Sequence, residues 1–373
     1  MRIGIDYTAA VQQGGGIGRY TRELIKALAQ IDRANRYILF SAGYDAKGTR
    51  WPANFSRRAI PLSDRHLSIL WHRLRIPLPV QAFTGPLDLF HSPDFLLPPL
   101  FCTPSVLTVH DLSFLRHPDC FSTSLLAYLR RTVPRSVARA NRILADSFST
   151  RTDLIELMGV AQERISVIYP GVDERFTPLP KTDCVPILER YNIVTPYILS
   201  VGTLQPRKNY CRLIQAYHLL RQERHIPHHL VIAGGQGWLY QPILDTIEEL
   251  GETNAVHLLG FVPDRDLVAL YASATVFAFP SLYEGFGIPV LEAMACGTPV
   301  VTSNRSSLPE AAGDAALLVS PKDTYALADA LWRTLDDETL RNALREAGFQ
   351  QAKRFTWQRS ARALLEIYRQ MAT

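Results

Sequence analysis

The sequence has 373 residues, 47% of them hydrophobic and 20% charged, which excludes a disordered, collagenous or coiled-coil chain and leaves length for two globular domains. Forty Lys and Arg stand against 35 Asp and Glu, a net charge of +5 that does not by itself indicate a nucleic-acid partner. The excess is uneven, because residues 1–180 hold 22 basic and 15 acidic side chains while residues 181–373 hold 18 and 20.

Short β-branched runs alternate with helical patterns, the signature of βαβ units and a parallel sheet. In the first half strands are predicted at Arg2–Asp6, Tyr37–Ser41, Arg58–Leu62, Leu87–His91, Ser105–His110, Arg142–Asp146 and Arg164–Tyr169. A helix is predicted over Ile17–Gln30, opening straight after Gly14, Gly15 and Gly16. Another pattern runs from Leu125 to Ile143. Between Pro170 and Pro196 five prolines fall in 27 residues with no sustained period, which reads as an inter-domain connection. The pattern then restarts, with strands at Tyr197–Val201, Leu230–Ala233, Val256–Leu259, Val276–Phe279, Pro299–Thr302 and Ala316–Val319. Helices are predicted at Tyr210–Arg224, Pro242–Leu250, Asp264–Ala274, Ile288–Cys296 and Thr324–Asp336, and beyond Glu338 the chain is helical to its end. The fold class is therefore α/β, with two doubly wound Rossmann-like domains. Such sheets bind ligands beyond the carboxyl ends of their strands, so an inter-domain cleft is expected. The domains are placed at 1–175 and 190–355, with a helix over 356–373 packing back toward the first.

The five cysteines never form a C-x-x-C pair, so neither a disulfide framework nor a zinc site is expected. Asp6 follows Ile3-Gly4-Ile5 with no apolar leader region, and prolines interrupt the longest apolar stretch, Phe95 to Val109, so neither a signal peptide nor a membrane span is expected. The chain reads as cytoplasmic.

Four constellations could carry chemistry. Gly14-Gly15-Gly16-Ile17-Gly18-Arg19 lets backbone amides approach an anion at a helix N-terminus, although the spacing is not that of a dinucleotide loop and a plain flexible turn is the alternative. Arg207 and Lys208, in Gly202-Thr203-Leu204-Gln205-Pro206-Arg207-Lys208-Asn209 after a strand, can neutralise a diphosphate; alternatively they are a solvated pair. Glu284 and Glu292 flank Gly285-Phe286-Gly287 and the start of a helix, which suits carboxylates on sugar hydroxyls and amides on an anion; a dipole partner is the alternative for Glu284. In Thr108-Val109-His110-Asp111 a strand ends in an imidazole that could contact a substrate hydroxyl, with Asp111 orienting it or acting on an acceptor, or that is a satisfied structural histidine, as is expected of His91.

Taken in order, G-G-x-G-R at 15–19, V-H-D at 109–111, P-G-V-D at 170–173, G-T-x-x-P-R-K-N at 202–209 and Glu-x7-Glu at 284–292 resemble the retaining glycosyltransferases of family 4, group 1, which have the GT-B architecture. The resemblance implies that Arg207 and Lys208 hold the donor diphosphate, Glu284 the donor sugar and Glu292 the ribose. The amides of Gly285, Phe286 and Gly287 would lie near sugar and phosphate, the backbone at Phe261 and Val262 near the nucleobase. Gly15 and Gly16 would approach the donor, and His110 the sugar close to its anomeric carbon. No metal site or resident cofactor is implied. The implied activity is transfer of a hexose, with GDP-mannose as the donor, to a glycan or lipid-linked acceptor in polysaccharide or lipopolysaccharide synthesis. Gln205 departs from the family pattern, where an acid is frequent. A sugar-nucleotide 2-epimerase and a catalytically silent nucleotide-sugar-binding partner are the alternatives.

From Leu125 to Ile143, Leu125, Leu126, Leu129, Val133 and Val137 lie beside Arg130, Arg131, Arg135, Arg139 and Arg142 with no intervening acid. That pattern suits peripheral contact with an anionic membrane, or a core-facing helix with a basic back. A second basic run holds Arg57, Arg58, Arg65, Arg73 and Arg75. Basic residues are not interleaved with stacking aromatics, so no nucleic-acid partner is expected.

Overall fold

Ile3, Ile5, Leu39, Val106, Ile143, Leu199, Val231 and Phe277 are buried almost completely, as a parallel sheet covered on both faces requires of its strands. These residues come from a computed structural model that describes residues 1–43 and 49–371; the last two residues of the expected 356–373 segment lie outside it. The chain forms two compact units. The first comprises Met1–Leu115, Ala127–Gly171 and Thr356–Thr373, and the second Arg116–Leu126 and Val172–Phe355.

In the first unit the strands are β1 (Arg2–Asp6), β2 (Arg36–Ala42), β3 (Phe55–Ile60), β4 (Leu89–Ser92), β5 (Ser105–Val109), β6 (Arg142–Ala145) and β7 (Ile165–Val167). They form one parallel sheet in the order β3-β2-β1-β4-β5-β6-β7, with Ile3 opposite both Tyr37 and Leu89. Chain order reverses between β1 and β4, so ligands are expected beyond the carboxyl ends of those two strands. Helix Gly16–Ile31 buries Leu24, Ile25 and Leu28 against Ala361, Leu364, Leu365 and Tyr368 of helix Trp357–Gln370.

The second sheet holds β8 (Tyr197–Val201), β9 (His229–Ala233), β10 (Val256–Gly260), β11 (Val276–Phe279), β12 (Val300–Ser303) and β13 (Ala316–Val319), in the order β10-β9-β8-β11-β12-β13. Every pairing is parallel, and the order reverses between β8 and β11.

Four sequence expectations need correction. β3 begins at Phe55 rather than Arg58, because Phe55 stacks on Tyr37 at 4.3 Å and Pro61, which has no N–H to give a ladder, follows its last residue. The proline-rich 170–196 segment is not a bare connection, since Lys181–Arg190 is a helix that buries Cys184 and Leu188. Pro186 sits inside it, and the carbonyl that loses its partner belongs to exposed Thr182, where water can replace the bond. Residues 116–126, expected in the first domain, group with the second unit: Trp238 Nε1 donates to the Cys120 carbonyl at 2.6 Å and its ring stacks on Phe121. Finally, the basic helix spans Thr123–Arg139 and buries Val133 and Val137, so that part of its apolar face belongs to the core. Among the described residues no helix is long and apolar enough to cross a membrane.

Candidate active site

β8 ends at Val201, and the chain turns through Gly202 into a single tight turn, Pro206–Lys208. Asn209 closes that turn with φ +62°, and its side-chain amide donates to the carbonyls of Pro280 (3.0 Å) and Pro321 (2.7 Å), tying the turn to the segments that follow β11 and β13. The two cations therefore arrive beside the loop after β11. Arg207 Nη1 donates to the Tyr283 carbonyl at 2.6 Å and to Glu284 Oε2 at 2.8 Å, while Lys208 Nζ donates to Glu284 Oε1 at 2.7 Å. One carboxylate thus bridges both cations across the switch point of the second sheet. Burial alone would raise the Glu284 carboxyl, but Arg207 and Lys208 outweigh it and hold it at about 2, so it is ionised at neutral pH. Lys208 Nζ also lies 4.6 Å from the centre of the Phe279 ring.

Two neighbouring segments hold this cluster rigid. Ser306 Oγ accepts from the Glu284 amide at 2.9 Å, and Ser307 Oγ donates to the carbonyls of Glu284 (2.8 Å) and Phe286 (2.9 Å). Behind β8, Leu204 N donates to the Gly235 carbonyl and Gly237 N to the Leu204 carbonyl, zipping the loop after β9 onto the loop after β8. Gly234 permits this approach, because a Cβ there would stand 1.9 Å from the Gly202 carbonyl oxygen.

Glu292 lies one turn inside helix Ile288–Ala295, 1% exposed, and accepts from the Tyr271 hydroxyl at 3.1 Å. Phe286 is buried and packs its ring 5.3 Å from that of Phe355, while Gly287 caps the helix with φ +113°. Gly260 N-terminal to the next loop has φ +70°, after which Phe261 is 64% exposed and Val262 is buried.

In the first unit His110 is enclosed. Its Nδ1 donates to Asp146 Oδ2 at 2.7 Å and its Nε2 to the Pro93 carbonyl at 3.1 Å, with the Tyr20 and Phe95 rings edge-on to the imidazole. Burial pushes the imidazole pKa down, but the Asp146 carboxylate, aided by Asp94, overrides it and raises it to about 9. His91 on the adjacent strand is neutral: burial, then the charge on His110, drops it to about 3, and its nitrogens engage Tyr368 and Thr108. Both ring nitrogens of His110 thus have partners inside the first unit. Asp146, not Asp111, orients it; Asp111 accepts instead from Ser113. Gly15 and Gly16 sit exposed at the start of helix Gly16–Ile31, where an added Cβ would meet nothing within 4 Å.

At the switch point of the first sheet a pocket opens between the ends of β1 and β4, lined by Asp6, Thr8, Gln12, Asp64, Trp71 and Asp94 among others. Burial, with the charges of Asp94 and Asp64, raises Asp6 to about 6 against hydrogen bonds from Thr8. His72, also in the wall, is held neutral at about 4 by burial and the Arg139 charge.

Residues 192–351 match the family described as glycosyl transferases group 1, and residues 14–176 match glycosyltransferase family 4. The O-antigen chain mannosyltransferase B of Escherichia coli is 33% identical over 365 residues, covering 95% of this chain and 96% of that protein. The chain is a glycosyltransferase of family 4, group 1. Among solved structures, sucrose-phosphate synthase from Thermosynechococcus elongatus superimposes with a TM-score of 0.78 at 22% identity, covering 100% of this chain and 99% of that one. Anabaena HepE in complex with UDP and glucose gives 0.75 at 20%, covering 98% of each chain. The glycosyltransferase accordingly has the GT-B fold class.

Of the residues expected in its site, the structure brings Arg207, Lys208 and Glu284 into one ion cluster and sets Gly285 to Gly287 beside it. Glu292 is turned into the second unit, toward Tyr271. Sequence reasoning missed Ser306 and Ser307, although a serine pair before Leu308-Pro309 is a helix-start signal. It also missed the glycine run Gly234-Gly235-Gln236-Gly237, which follows a strand as a ligand loop does, and the pocket around Asp6.

Proposed function

We propose that this glycosyltransferase is a retaining, metal-independent hexosyltransferase that moves mannose from GDP-mannose to a hydroxyl of a glycan or lipid-linked acceptor in cell-surface polysaccharide synthesis. The observation that carries the reading is the Arg207–Glu284–Lys208 cluster at the switch point of the second sheet. Two fixed cations there can hold a diphosphate and stabilise it as it leaves, the electrostatic task a divalent ion performs elsewhere. When the donor enters, its phosphate oxygens take the place of the Glu284 carboxylate on the cations, and the displaced carboxylate accepts from sugar hydroxyls. The bond from C1 to the diphosphate breaks, the acceptor oxygen bonds to C1 on the same face, and the acceptor proton passes to the departing diphosphate. Glu292 exchanges the Tyr271 hydroxyl for those of the ribose, the amides of Gly285, Phe286 and Gly287 lie near sugar and phosphate, and the exposed ring of Phe261 offers a stacking face to the base beside Val262.

The choice of mannose follows the E. coli relative, and a nucleotide-sugar donor is supported by the UDP held by Anabaena HepE. The pocket around Asp6, Asp64 and Asp94 suits the hydroxyls of an uncharged sugar acceptor, because its carboxylates accept from hydroxyls and repel a phosphate. The enzyme would act in the cytoplasm, in peripheral contact with an anionic membrane. Incubation with GDP-mannose, UDP-glucose and ADP-glucose, each with and without a neutral mannoside, tests the reading by product NMR. Mannosyl transfer with retained configuration is expected from GDP-mannose. An isomerised nucleotide-sugar formed without acceptor, or transfer from another donor alone, would refute it.

A further inference from the structure

Strand order makes β9 and β11 the two neighbours of β8, whose following turn carries Arg207 and Lys208. Residues 116–126, part of the second unit, touch the loops after both neighbours. Trp238, after β9, donates to the Cys120 carbonyl and stacks on Phe121, while Tyr283, after β11, has the His117 ring 5.8 Å from its own. The segment therefore spans the carboxyl end of β8. A single turn, Pro118–Cys120, fixes it there, with Cys120 N donating to the His117 carbonyl at 3.0 Å and Phe121 N to that of Pro118 at 3.1 Å. His117 is thus set at the rim of the ion cluster, because the Tyr283 it packs on gives its carbonyl to Arg207 and is followed by Glu284.

The imidazole is half-buried, and among the described residues no hydrogen bond engages its ring nitrogens. His91 and His110, by contrast, have partners on both nitrogens. Charged groups reach His117 from three segments: Arg116 and Asp119 from its own, Arg207 from the turn after β8, and Lys322 from the turn after β13, which Asn209 ties to the same site through the Pro321 carbonyl. Burial, then Lys322, Arg207 and Arg116, lowers the imidazole against the opposing Asp119, so the neutral ring prevails at pH 7. An anion placed among these cations reverses the balance. One carboxylate is the main cause that raises the more deeply buried His110 to about 9, and a diphosphate brings two charges.

We infer that His117 is a ligand of the donor diphosphate, neutral in the free enzyme and protonated in the complex, so that donor binding takes up a proton. The imidazolium N–H donates to a phosphate oxygen, and the cluster gains a further cation only when its anion is present. A permanent cation at this position would repel Arg207 and Lys322 in the free enzyme, whereas a titrating one does not. Charge that builds on the departing diphosphate then meets a donor already bonded to it. The inference rests on the diphosphate reading of the Arg207–Glu284–Lys208 cluster, and on neither the sugar nor the base.

The test is calorimetric titration of the full chain with GDP-mannose and with UDP-glucose, whose phosphates stay ionised from pH 6 to pH 8, in two buffers of different ionisation enthalpy. The tighter-binding of the two serves as the probe. Wild type is expected to take up roughly one proton per donor bound, and its Kd should rise as pH goes from 6 to 8. Glu284, held at about 2, does not titrate in that window. His117→Gln keeps a neutral hydrogen-bond donor; it should take up no proton, bind about tenfold more weakly than wild type at pH 6 and lose the pH dependence. An unchanged melting temperature without ligand shows that the variant is folded, and the wild-type proton count stands without it. Wild-type binding without proton uptake, or a variant that binds and takes up protons as wild type does, would overturn this inference and leave the donor reading in place. A wild type that binds neither nucleotide-sugar would overturn both.

Discussion

Replacing Glu284 by glutamine removes one charge from the Arg207–Glu284–Lys208 cluster while keeping its shape. In the native chain the carboxyl falls from 4.5 to about 2, which corresponds to roughly 3 kcal/mol favouring the folded, ionised form. The variant leaves two buried cations without their counterion, a change that costs about 3–5 kcal/mol in comparable buried pairs, so both routes give the same order. For a unit of this size that is a fall of about 6–12 °C in melting temperature. The sign with pH follows from a depressed acid: the wild-type contribution is present above 4.5 and is lost as pH falls toward 2, so the gap between wild type and variant should close in that window. If a diphosphate takes the carboxylate's place, GDP at a hundredfold excess over its Kd should restore about 2.7 kcal/mol to the variant. Calorimetry of both proteins with and without GDP, from pH 7 down to pH 3, measures each of these quantities. A variant that melts with wild type at neutral pH would refute the bridge, and one that GDP fails to stabilise would refute the exchange of carboxylate for phosphate.

Three other outcomes are expected. His110, raised to about 9, contributes stability that is complete below 6.5 and is lost as pH rises through 9, so wild type should weaken over that window while His110→Gln shows a flatter profile in denaturant titrations. Asp94→Asn in the first-unit pocket should raise KM for a neutral glycan acceptor several-fold with the donor Kd unchanged by calorimetry; an unchanged acceptor KM would remove the pocket from the acceptor path. Gly234→Ala drives a Cβ into the Gly202 carbonyl 1.9 Å away, so it should lower the melting temperature by several degrees and weaken nucleotide binding together, and a silent variant would contradict the packing of those loops.

The strands were legible because a parallel sheet buries both faces and so writes itself as uninterrupted apolar runs, of which Tyr197–Val201 and Val276–Phe279 are read without error. Arg207, Lys208 and Glu284 were legible as chemistry but not as one cluster, since strand order, not sequence distance, makes neighbours of the loops after β8 and β11. The partner of His110 lay hidden for the same reason: adjacent Asp111 looked like the natural choice, yet the parallel pairing of β5 with β6 presents Asp146 from 36 residues away. Helix Lys181–Arg190 was not legible because prolines mask its short apolar period, which only the burial of Cys184 and Leu188 reveals, and a proline whose orphaned carbonyl faces solvent is tolerated. The face of the basic helix could not be assigned from its own pattern, because Val133 and Val137 are core or surface only according to what packs beside them.

Helix Trp357–Gln370 has a consequence for biosynthesis. The ribosome delivers every residue of the second unit before it delivers the helix that covers Leu24, Ile25 and Leu28 of the first, so the earlier-made unit is the later one to be finished. Until Tyr368 emerges, His91 lacks its 2.7 Å hydroxyl partner and an apolar face stands open to solvent. A nascent chain stalled or cleaved just short of residue 357 therefore carries a whole second unit beside an unsealed first one, and is a ready substrate for chaperones and proteases.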